Sequence, residues 1–505
     1  MNGPHVPPPL ARPIEPAHPS VVVRVHLIGV SGTGMGALAG LLRAGGHEVS
    51  GSDVAFDPPI GPALERWGVR TLLGYDPAHL DPAPDLVVVG NVCRADNPEA
   101  RAARASSVRT TTMSHALAEL ALEGTSPLVV AGTHGKTTTS AMCAWLLEAC
   151  GFGPGFFIGG LPKNFATSAR TARRAGLPLA GAPAAARRVP FVVEGDEYDT
   201  AFFEKTPKFW HYRPEVAIVT SIEHDHVDVY PSEAGYFDAF RAFVARVPES
   251  GLIVASAHDP RIVEVVRGAA RAPVAWYALE GDRPEVSPEW VGAAGAVVDG
   301  MQQLDLFAGG VSCGRFAMRS PGAHNVRNAV AAIAACAQGY GADITQLGRA
   351  LAGFEGVRRR QDLLGEPGGV RVYDDFAHHP TAVDETLRAL RAKHPEGRLF
   401  AVFEPRSATA CRSMHQEAYA RAFAPADRVL VAPLGRSNVP EAERLDVARL
   451  VAALAAAGKP ADAPASVDAI LATLLDEARP GDTVALLSNG AFGSIHARLL
   501  EALAR

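Results

Sequence analysis

The stretch VVAGTHGKTTTSAMCAWLL (Val129–Leu147) decides the fold of the middle of this chain. It places a glycine-containing loop directly between an apolar strand and an amphipathic helix, and the loop ends in Gly-Lys-Thr, as phosphate-binding loops do. The usual phosphate loop has four residues between its two glycines, whereas Gly132 and Gly135 enclose only Thr133 and His134. The spacing leaves open whether this is a nucleotide site of another kind or a chance Gly-Lys-Thr.

The chemistry of the loop residues favours a nucleotide site. Backbone N–H groups of such a loop surround phosphate oxygens, the ammonium of Lys136 supplies a positive charge, and the hydroxyl of Thr137 can ligate Mg²⁺. Thr138 and Thr139 add hydroxyls at the start of the helix. Chance seldom places glycines, a lysine and hydroxyls together between a strand and a helix, so we predict that this segment binds a nucleotide.

Composition and charge indicate a globular protein that has neither nucleic acid nor membrane as a partner. The 505 residues are 48% hydrophobic and 20% charged, and their formal net charge of −6 provides no broad basic surface. Six scattered cysteines without a Cys-x-x-Cys pair are typical of reduced thiols in a cytosolic protein. No apolar run approaches the roughly 18 residues needed to span a bilayer. We therefore expect a cytoplasmic protein, monomeric or weakly homo-oligomeric.

Strand-like apolar runs alternate with helical segments, which predicts an α/β protein with largely parallel sheets. Three segments read as the beginnings of domains: VVVRVHLIGV, PLVVAGTHGKTTT and GVRVYDDFAHHP. The predicted organisation is a flexible proline-rich tail (1–20), a first domain (21–124), a central domain (125–357) and a C-terminal domain (358–505). The Ala/Arg/Pro-rich segment 170–190 is expected to be a surface loop inserted between two strands.

A second glycine loop lies in HLIGVSGTGMGALAGLLRAGGHEVSGSD (His26–Asp53). Gly32, Gly34 and Ala37 match the G-x-G-x-x-A form of the dinucleotide fingerprint, and Asp53 ends the next strand 19 residues after Gly34, where an acid that binds ribose would sit. Read alone, this pattern predicts an NAD enzyme. Another nucleotide, or a glycine turn that only packs a helix on a strand, fits equally well.

Acidic residues follow two further apolar strands. FVVEGDEYD runs into Glu194 and its neighbours Asp196, Glu197 and Asp199, and AIVTSIEHDHVDVY carries Glu223, Asp225 and His226. Carboxylates at the carboxyl ends of strands lie where open α/β sheets bind ligands, and hard oxygens suit Mg²⁺. The His-x-His of the second segment lacks a nearby third soft ligand in the sequence, so a magnesium or acid–base role is favoured over zinc.

With these pieces in this order, the chain resembles the Mur ligase family, the ATP-dependent amide-forming enzymes of peptidoglycan synthesis. Their phosphate loop is the short GTHGKT form, which resolves the question of spacing. The resemblance covers roughly residues 20 to 505 and continues through GAHNVRNAVAA (Gly322–Ala332), FEGVRRRQ (Phe354–Gln361) and YDDFAHHP (Tyr373–Pro380). It implies three domains: a Rossmann-like UDP-binding domain, a central P-loop ATPase domain and a C-terminal Rossmann-like domain.

The resemblance also implies a role for individual residues, with ATP and Mg²⁺ as cofactors. The implied ATP-binding residues are Gly132, Thr133, His134, Gly135, Lys136, Thr137, Thr138, Asn325, Asn328, Arg360, Asp375 and His378. The implied metal ligands are Thr137, Glu194 and His226. The implied catalytic residues are Lys136, His226 and Arg360, with Arg359 beside the last. The implied UDP-sugar residues are Gly29, Ser31, Gly32, Thr33, Gly34, Met35 and Asp53.

Within the family, three segments resemble the branch that serves cell-wall recycling. They are GDEYDTAFFEKTPKFWHYRP (Gly195–Pro214), FEPRSATA (Phe403–Ala410) and LSNGAFGSIHARLL (Leu487–Leu500). This branch joins UDP-N-acetylmuramate to the murein tripeptide L-alanyl-γ-D-glutamyl-meso-diaminopimelate. The alternative is the sibling that adds L-alanine, which shares the first glycine loop but usually lacks the tyrosine-bearing EGDEYDTAFF.

Two departures from siblings shape the expectations. The segment Tyr230–Phe243 contains no lysine, so the carbamylated lysine of several siblings should be absent. The DNPR motif that reads free diaminopimelate in another sibling is also absent, and Arg406 and Arg412 are the candidates for binding the peptide.

Two other classes of protein explain only part of the sequence. A nicotinamide oxidoreductase leaves Lys136, Thr137 and Glu194 without a role, and a P-loop switch ATPase does not explain the separate nucleotide fold before the phosphate loop. A ligase should bind a UDP-sugar and ATP together and should ignore NADH.

Overall fold

The structure is a computed structural model that describes residues 22–173 and 188–505. The predicted flexible tail and the middle of the predicted inserted loop (174–187) lie outside the described residues. The described residues divide into two compact units. The first unit spans 22–121 together with Ala201–Phe203, and the second holds the remainder, up to Arg505.

The first unit is built on a sheet of five parallel strands in the order β3-β2-β1-β4-β5. The strands are β1 (Arg24–Ile28), β2 (Glu48–Asp53), β3 (Arg70–Leu73), β4 (Leu86–Val89) and β5 (Arg109–Thr112). The helices are α1 (Thr33–Ala44), α2 (Ile60–Arg66), α3 (Pro98–Ala105) and α4 (Met113–Leu120). The central strand β4 is a buried apolar run, and β1 is buried from Val25 to Ile28, as expected for parallel strands covered on both faces.

The second unit begins with a large sheet, called here the central sheet. In chain order, its ten strands and the separate short pair β10 and β11 are β6 (Ser126–Ala131), β7 (Gly155–Phe157), β8 (Ala169–Arg170), β9 (Pro190–Gly195), β10 (Asp199–Ala201), β11 (Glu204–Pro207), β12 (Val216–Val219), β13 (Leu252–Ser256), β14 (Val274–Leu279), β15 (Trp290–Val298), β16 (Met301–Ala308) and β17 (Val311–Met318). The last residue of β10, Ala201, is grouped with the first unit. Its helices are α5 (Lys136–Ala149), α6 (Glu233–Val244), α7 (Pro260–Ala269), α8 (Ala323–Ala334) and α9 (Ile344–Leu351).

The strand order of the central sheet brings three loops to one edge. The order is β17-β16-β15-β14-β13-β12-β6-β9-β7-β8, with β10 and β11 forming a separate pair. The strand β6 lies between β12 and β9 and is parallel to both, with Ala131 in register with Val219 and Gly195. The phosphate loop after β6, the loop after β12 and the end of β9 therefore meet at the carboxyl edge, where open sheets bind ligands.

The helix α5 is fixed by packing rather than by one apolar stripe. Its residues from Thr139 to Leu147 are buried except for Trp145, which is only partly buried, and it packs against the sheet and against α8. The buried core around it includes Leu128 of β6 and Val326 of α8. A helix buried on most sides holds its N-terminus, and hence the phosphate loop, in a fixed position.

A second sheet of the same unit, called here the C-terminal sheet, has the order β18-β19-β23-β20-β21-β22. Its strands are β18 (Asp362–Gly365), β19 (Arg371–Asp375), β20 (Leu399–Phe403), β21 (Arg428–Val431), β22 (Ala461–Asp462) and β23 (Thr483–Leu487). Its helices are α10 (Pro380–Lys393), α11 (Gln416–Ala422), α12 (Val447–Ala456), α13 (Val467–Glu477) and α14 (Ile495–Leu503). All neighbours are parallel except β18 and β19.

These sheets confirm the predicted α/β class with parallel strands in each of three sheets. The predicted boundaries at 124/125 and 357/358 stay predictions. All six cysteines are free thiols, and within the described residues no helix combines the length and the apolar character that crossing a membrane requires.

Candidate active site

The backbone of the phosphate loop requires its two glycines. Gly132 and Gly135 have φ of 142° and 81°, a region that favours glycine. A Cβ on Gly132 would lie 2.0 Å from the Oγ1 of Thr220, and one on Gly135 would lie 2.6 Å from the Oδ1 of Asn328. The loop thus lies so close to the loop after β12 and to α8 that neither position has room for a side chain.

The two residues between the glycines are held by the loop after β12. The backbone N–H of His134 donates to the Oγ of Ser221 at 2.8 Å, and the hydroxyl of Thr133 donates to the carbonyl oxygen of Glu223 at 2.9 Å. The backbone N–H of Glu223 donates to the same hydroxyl at 2.9 Å. These bonds explain the short spacing, because the loop is closed against a neighbouring strand end rather than by a longer chain of its own.

The ammonium of Lys136 lies in a buried ion pair that the sequence did not predict. Its Nζ is 2.9 Å from the Oε2 of Glu197 and donates to the carbonyl oxygen of Gly132 at 2.6 Å. Glu197 is fully buried. Burial alone would raise the pKa of this carboxyl, but the charges and hydrogen bonds of Lys136 and His226 outweigh it and hold the pKa at about 2. Glu197 is therefore the counterion that holds Lys136 at the loop.

The same carboxylate holds His226. The Nε2 of His226 donates to the Oε1 of Glu197 at 3.0 Å. Burial would lower the pKa of His226, but the hydrogen bond and charge of Glu197, together with the charge of Asp225, raise it. A metal ligand or proton acceptor needs a free lone pair. While the Nε2 of His226 donates to Glu197, that lone pair is on its Nδ1, an arrangement common among metal-binding histidines. Those roles stay predictions.

Thr137 and Glu194 are adjacent, as a shared magnesium site requires. The hydroxyl of Thr137 donates to the Oε1 of Glu194 at 2.6 Å, and the backbone N–H of Gly159 donates to the Oε2 at 2.7 Å. Burial, and then the charge of Asp196, raise the pKa of Glu194. A buried carboxylate beside another acid is stabilised by a cation, and its hard oxygen and the hydroxyl suit Mg²⁺.

The structure separates the two neighbouring arginines. An Nη2 hydrogen of Arg360 points to the Oγ1 of Thr137 at 3.4 Å, and its guanidinium lies 5.0 Å from the ring centre of Phe376. Arg359 has positive φ, faces the C-terminal sheet, and donates to Asp374 at 3.2 Å and to the carbonyl oxygen of Ser488 at 2.7 Å. Arg360 therefore contacts the phosphate loop, whereas Arg359 anchors the chain.

Of the two asparagines of α8, one contacts the phosphate loop and the other holds the start of the helix. Asn328 contacts the phosphate loop at Gly135. Asn325 is buried and donates its Nδ2 hydrogen to the carbonyl oxygen of Pro321 at 2.8 Å, which holds the start of α8. Thr138, in the first turn of α5, is partly exposed.

The end of β19 and the segment that follows it carry an acid and a histidine, Asp375 and His378. The carboxylate of Asp375 accepts backbone N–H bonds from Gln361 at 2.7 Å and Ala377 at 2.8 Å, and burial raises its pKa. The predicted contact of Asp375 with ribose stays a prediction, since its visible role is to hold this turn. Burial lowers the pKa of His378 to about 4, so its imidazole is neutral at pH 7.

In the first unit, Asp53 organises the other glycine loop. Its Oδ2 accepts the backbone N–H of Ser31 at 2.8 Å, and its Oδ1 accepts the hydroxyl of Tyr75 at 3.1 Å. Gly29 has a φ of 83° and donates its N–H to the carbonyl oxygen of Ser52 at 2.8 Å. The loop then leads into α1 at Thr33, so the free N–H groups of the helix start are available to an anion.

The glycines of this loop differ in the space around them. A Cβ on Gly34 would lie 3.2 Å from the Sδ of Met113, whereas a Cβ on Gly32 would meet only the carbonyl oxygen of Gly29 at 3.7 Å. Met35 is buried under the first turn of α1. Gly32 therefore borders open space at the helix start, while Gly34 packs on the protein.

The two candidate peptide-binding arginines follow β20. The stem of Arg406 lies against Gly490 and Gly435, where a Cβ would come within 2.2 and 2.9 Å of it. Its guanidinium is 3.8 Å from Glu404 and 46% of the side chain is exposed. The guanidinium of Arg412 is occupied: it donates to Glu443 and to the backbone. The geometry favours Arg406 as the arginine available to a ligand.

Comparison with known proteins identifies the chain's relatives. Family models match residues 24–125 (Mur ligase family, catalytic domain), 130–336 (Mur ligase middle domain) and 359–490 (Mur ligase, glutamate ligase domain). The UDP-N-acetylmuramate–L-alanyl-γ-D-glutamyl-meso-2,6-diaminoheptandioate ligase of Escherichia coli K12 is 36% identical over 484 residues, covering 96% of this chain and 99% of the relative.

Two further proteins are similar over most of the chain. The UDP-N-acetylmuramate–L-alanine ligase of Kineococcus radiotolerans is 40% identical over 418 residues, covering 81% of each chain. The crystal structure of a murein peptide ligase from Psychrobacter arcticus 273-4 has a TM-score of 0.68 and 33% identity, covering 96% of this chain and 99% of that one. Together with the three matched domains, this near full-length similarity shows that the chain belongs to the Mur ligase family.

Proposed function

We propose that the chain is an ATP-dependent amide ligase that joins UDP-N-acetylmuramate to L-alanyl-γ-D-glutamyl-meso-diaminopimelate in peptidoglycan recycling. The observation that carries the proposal is the grouping of Lys136, Thr137, Glu194 and Arg360 around one phosphate loop. Near full-length similarity to the E. coli ligase named for this reaction supports the choice of substrates. Because ATP drives the reaction, we place the enzyme in the cytoplasm.

The proposed chemistry is activation of a carboxylate. A carboxylate is a poor electrophile because its leaving group would be oxide. Transfer of the γ-phosphoryl group of ATP to the lactyl carboxylate gives an acyl phosphate and ADP. The amine of the tripeptide then attacks the acyl carbon, and the tetrahedral intermediate expels phosphate. No side-chain nucleophile is needed.

The residues around the loop would bind and orient the phosphates. Lys136 would exchange Glu197 for a phosphate oxygen, and Arg360 would approach the same group from the other side of Thr137. Both charges oppose the negative charge that develops during phosphoryl transfer. Thr137 and Glu194 would hold Mg²⁺, which supplies further charge neutralisation when bound.

The second candidate function is ligation of L-alanine to the same sugar nucleotide. The 40% identity to the Kineococcus enzyme favours it, although over a shorter part of the chain. Release of phosphate tests the reaction class common to both: it should require ATP, Mg²⁺, UDP-N-acetylmuramate and an amine acceptor together. Phosphate release without the sugar nucleotide would indicate a simple ATPase, and NADH binding would favour an oxidoreductase.

A substitution in the first glycine loop tests the proposed UDP site. Gly32→Val places a branched side chain in the open space at the start of α1, where we expect the pyrophosphate. The Michaelis constant for UDP-N-acetylmuramate should rise about tenfold or more, a loss of at least ~1.4 kcal/mol of binding, while that for ATP stays within twofold. Gly268→Val, at a glycine of α7 that has open surroundings and no positive φ, is the control. An unchanged sugar-nucleotide constant in folded Gly32→Val would move the site elsewhere.

A substitution after β20 tests the proposed contact with the peptide. Arg406→Lys should raise the Michaelis constant for the tripeptide about tenfold or more, because one charged hydrogen bond contributes roughly 1.5–3 kcal/mol and lysine cannot copy the paired bonds of a guanidinium. The constants for ATP and UDP-N-acetylmuramate should remain unchanged. Arg412→Lys serves as the matched control, and an equal effect of both substitutions would argue against a specific role for Arg406.

A further inference from the structure

The side chain of His134, a residue of the phosphate loop, converges with those of Glu223 and His379, and the phosphoryl transfer described above assigns no step to these three side chains. The Nε2 of His134 lies 3.3 Å from the Oε2 of Glu223, and the Nδ1 of His379 lies 3.4 Å from the same oxygen. The three possible ligand atoms all lie within 4.8 Å of one another. The fold therefore brings two imidazoles to Glu223, those of His134 and His379, from positions that are far from it in sequence.

The spacing of these atoms matches a compact metal site. Zinc bound tetrahedrally at about 2.0–2.1 Å from its ligands separates two ligand atoms by about 3.3–3.4 Å. The distances from the Oε2 of Glu223 to the Nε2 of His134 and to the Nδ1 of His379, 3.3 and 3.4 Å, equal this separation. Two imidazoles and one carboxylate suit Zn²⁺ and similar transition metals, whereas Mg²⁺ prefers an all-oxygen set.

The Oε2 of Glu223 accepts hydrogen bonds from the Nε2 of His134 and, at 2.8 Å, from the hydroxyl of Thr381. Hydrogen bonding still leaves part of the cluster unexplained. The Nδ1 of His379 is buried and, within the described residues, forms no hydrogen bond although it is near the carboxylate. The ring of His415 lies 4.6 Å from that of His379, and its Nε2 is also buried without a hydrogen bond to any described residue. A buried imidazole nitrogen without a partner is costly, and a metal ion would satisfy it.

We propose that His134, Glu223 and His379 bind one Zn²⁺ or similar transition-metal ion, separate from the magnesium of ATP. The fourth position is open to water or to His415. His134 belongs to the phosphate loop, Glu223 follows β12, and His379 precedes α10 of the C-terminal sheet. The ion would thus join the nucleotide loop to the C-terminal part of the same unit, and binding should raise the melting temperature.

Metal binding to the tag-free full-length protein tests the proposal independently of ligase activity. Competition with a chromophoric chelator should find one tightly bound Zn²⁺ per chain, and Co²⁺ should give the intense visible absorption of a four-coordinate ion. His379→Gln and Glu223→Gln should each weaken Zn²⁺ binding at least about tenfold. His258→Gln, which removes an exposed histidine, and Glu194→Gln, at the magnesium site, should leave it unchanged.

Three results would overturn the proposal. They are no stoichiometric Zn²⁺, binding that both His379→Gln and Glu223→Gln leave intact, and displacement of Zn²⁺ by millimolar Mg²⁺. Thermal unfolding of each metal-free variant shows whether a loss of binding reflects a lost ligand or a lost fold, and the two variants sit on different segments of the chain.

Discussion

Replacing Lys136 with alanine should lower kcat/KM for ligation at least about 10³-fold, while the affinity for UDP-N-acetylmuramate stays within twofold. The lysine is the positive charge at the start of α5, and charges placed on a transferring phosphoryl group typically contribute factors of this size. The sugar nucleotide is expected in the first unit, which Lys136 does not belong to. Initial rates and equilibrium binding of the sugar nucleotide measure the two quantities.

The structure also shows which buried group loses its ion-pair partner in Lys136→Ala, namely Glu197. Without Lys136, the buried Glu197 keeps His226 as its one basic hydrogen-bond partner among the described residues, so loss of activity has to be separated from loss of the fold. Lys136→Arg keeps a positive charge against Glu197 and should fold, yet still lose about 10²-fold or more because its planar fork differs from a compact ammonium. Lys205→Ala, in an exposed ion pair, is the control. Full activity in Lys136→Ala would rule out the assigned ATP site.

Glu197→Gln should be among the most destabilising single substitutions in the chain. It removes the carboxylate that contacts Lys136 directly and leaves the ammonium with the weaker attraction of Asp196 and Glu194. Breaking a buried ion pair typically costs about 3–5 kcal/mol. Bound ATP would give Lys136 a phosphate partner instead. The melting temperature of the variant should therefore be well below that of the wild type, and ATP with Mg²⁺ should raise it more in the variant than in the wild type.

An exposed acid provides the comparison for Glu197. Glu264→Gln breaks a surface ion pair with Arg241 and should change stability by no more than about 1 kcal/mol. Calorimetry of the three proteins with and without nucleotide gives the result. Equal stability of Glu197→Gln and wild type would show that Lys136 does not depend on this carboxylate.

Much of the fold could be predicted from local sequence because the hydrophobic periodicity and the glycines between elements indicate the same strands and helices. The sequence predicts the apolar run that forms β6, the glycines that follow it and the helix α5. It also predicts Asp53 at the end of β2. The apolar character of β6, β9 and β12 favours buried parallel strands, whereas the order that places β6 between β12 and β9 comes from the structure. What local patterns could not supply was the packing of the loop against Thr220 and Ser221, which explains its short spacing.

The partners of the site residues were harder to predict because they depend on tertiary contacts. Glu197 is three residues from Glu194 in an acid-rich segment, and nothing local distinguishes the counterion of Lys136 from a solvated acid. Arg359 and Arg360 are adjacent in sequence. The backbone conformation of the segment between the central and C-terminal sheets directs Arg360 to Thr137 and Arg359 to the C-terminal sheet. His134 and His379 lie near Glu223 in the structure but far from it in sequence. A search of the sequence around Glu223 therefore misses them.

The most direct test of the central claim is a competition between amine acceptors. With saturating ATP, Mg²⁺ and UDP-N-acetylmuramate, kcat/KM is measured for L-alanyl-γ-D-glutamyl-meso-diaminopimelate and for free L-alanine, with mass spectrometry of the products. We predict that the tripeptide is preferred at least about 100-fold, a difference of roughly 2.7 kcal/mol in transition-state binding. A preference for free L-alanine would contradict the recycling assignment and support the L-alanine ligase instead.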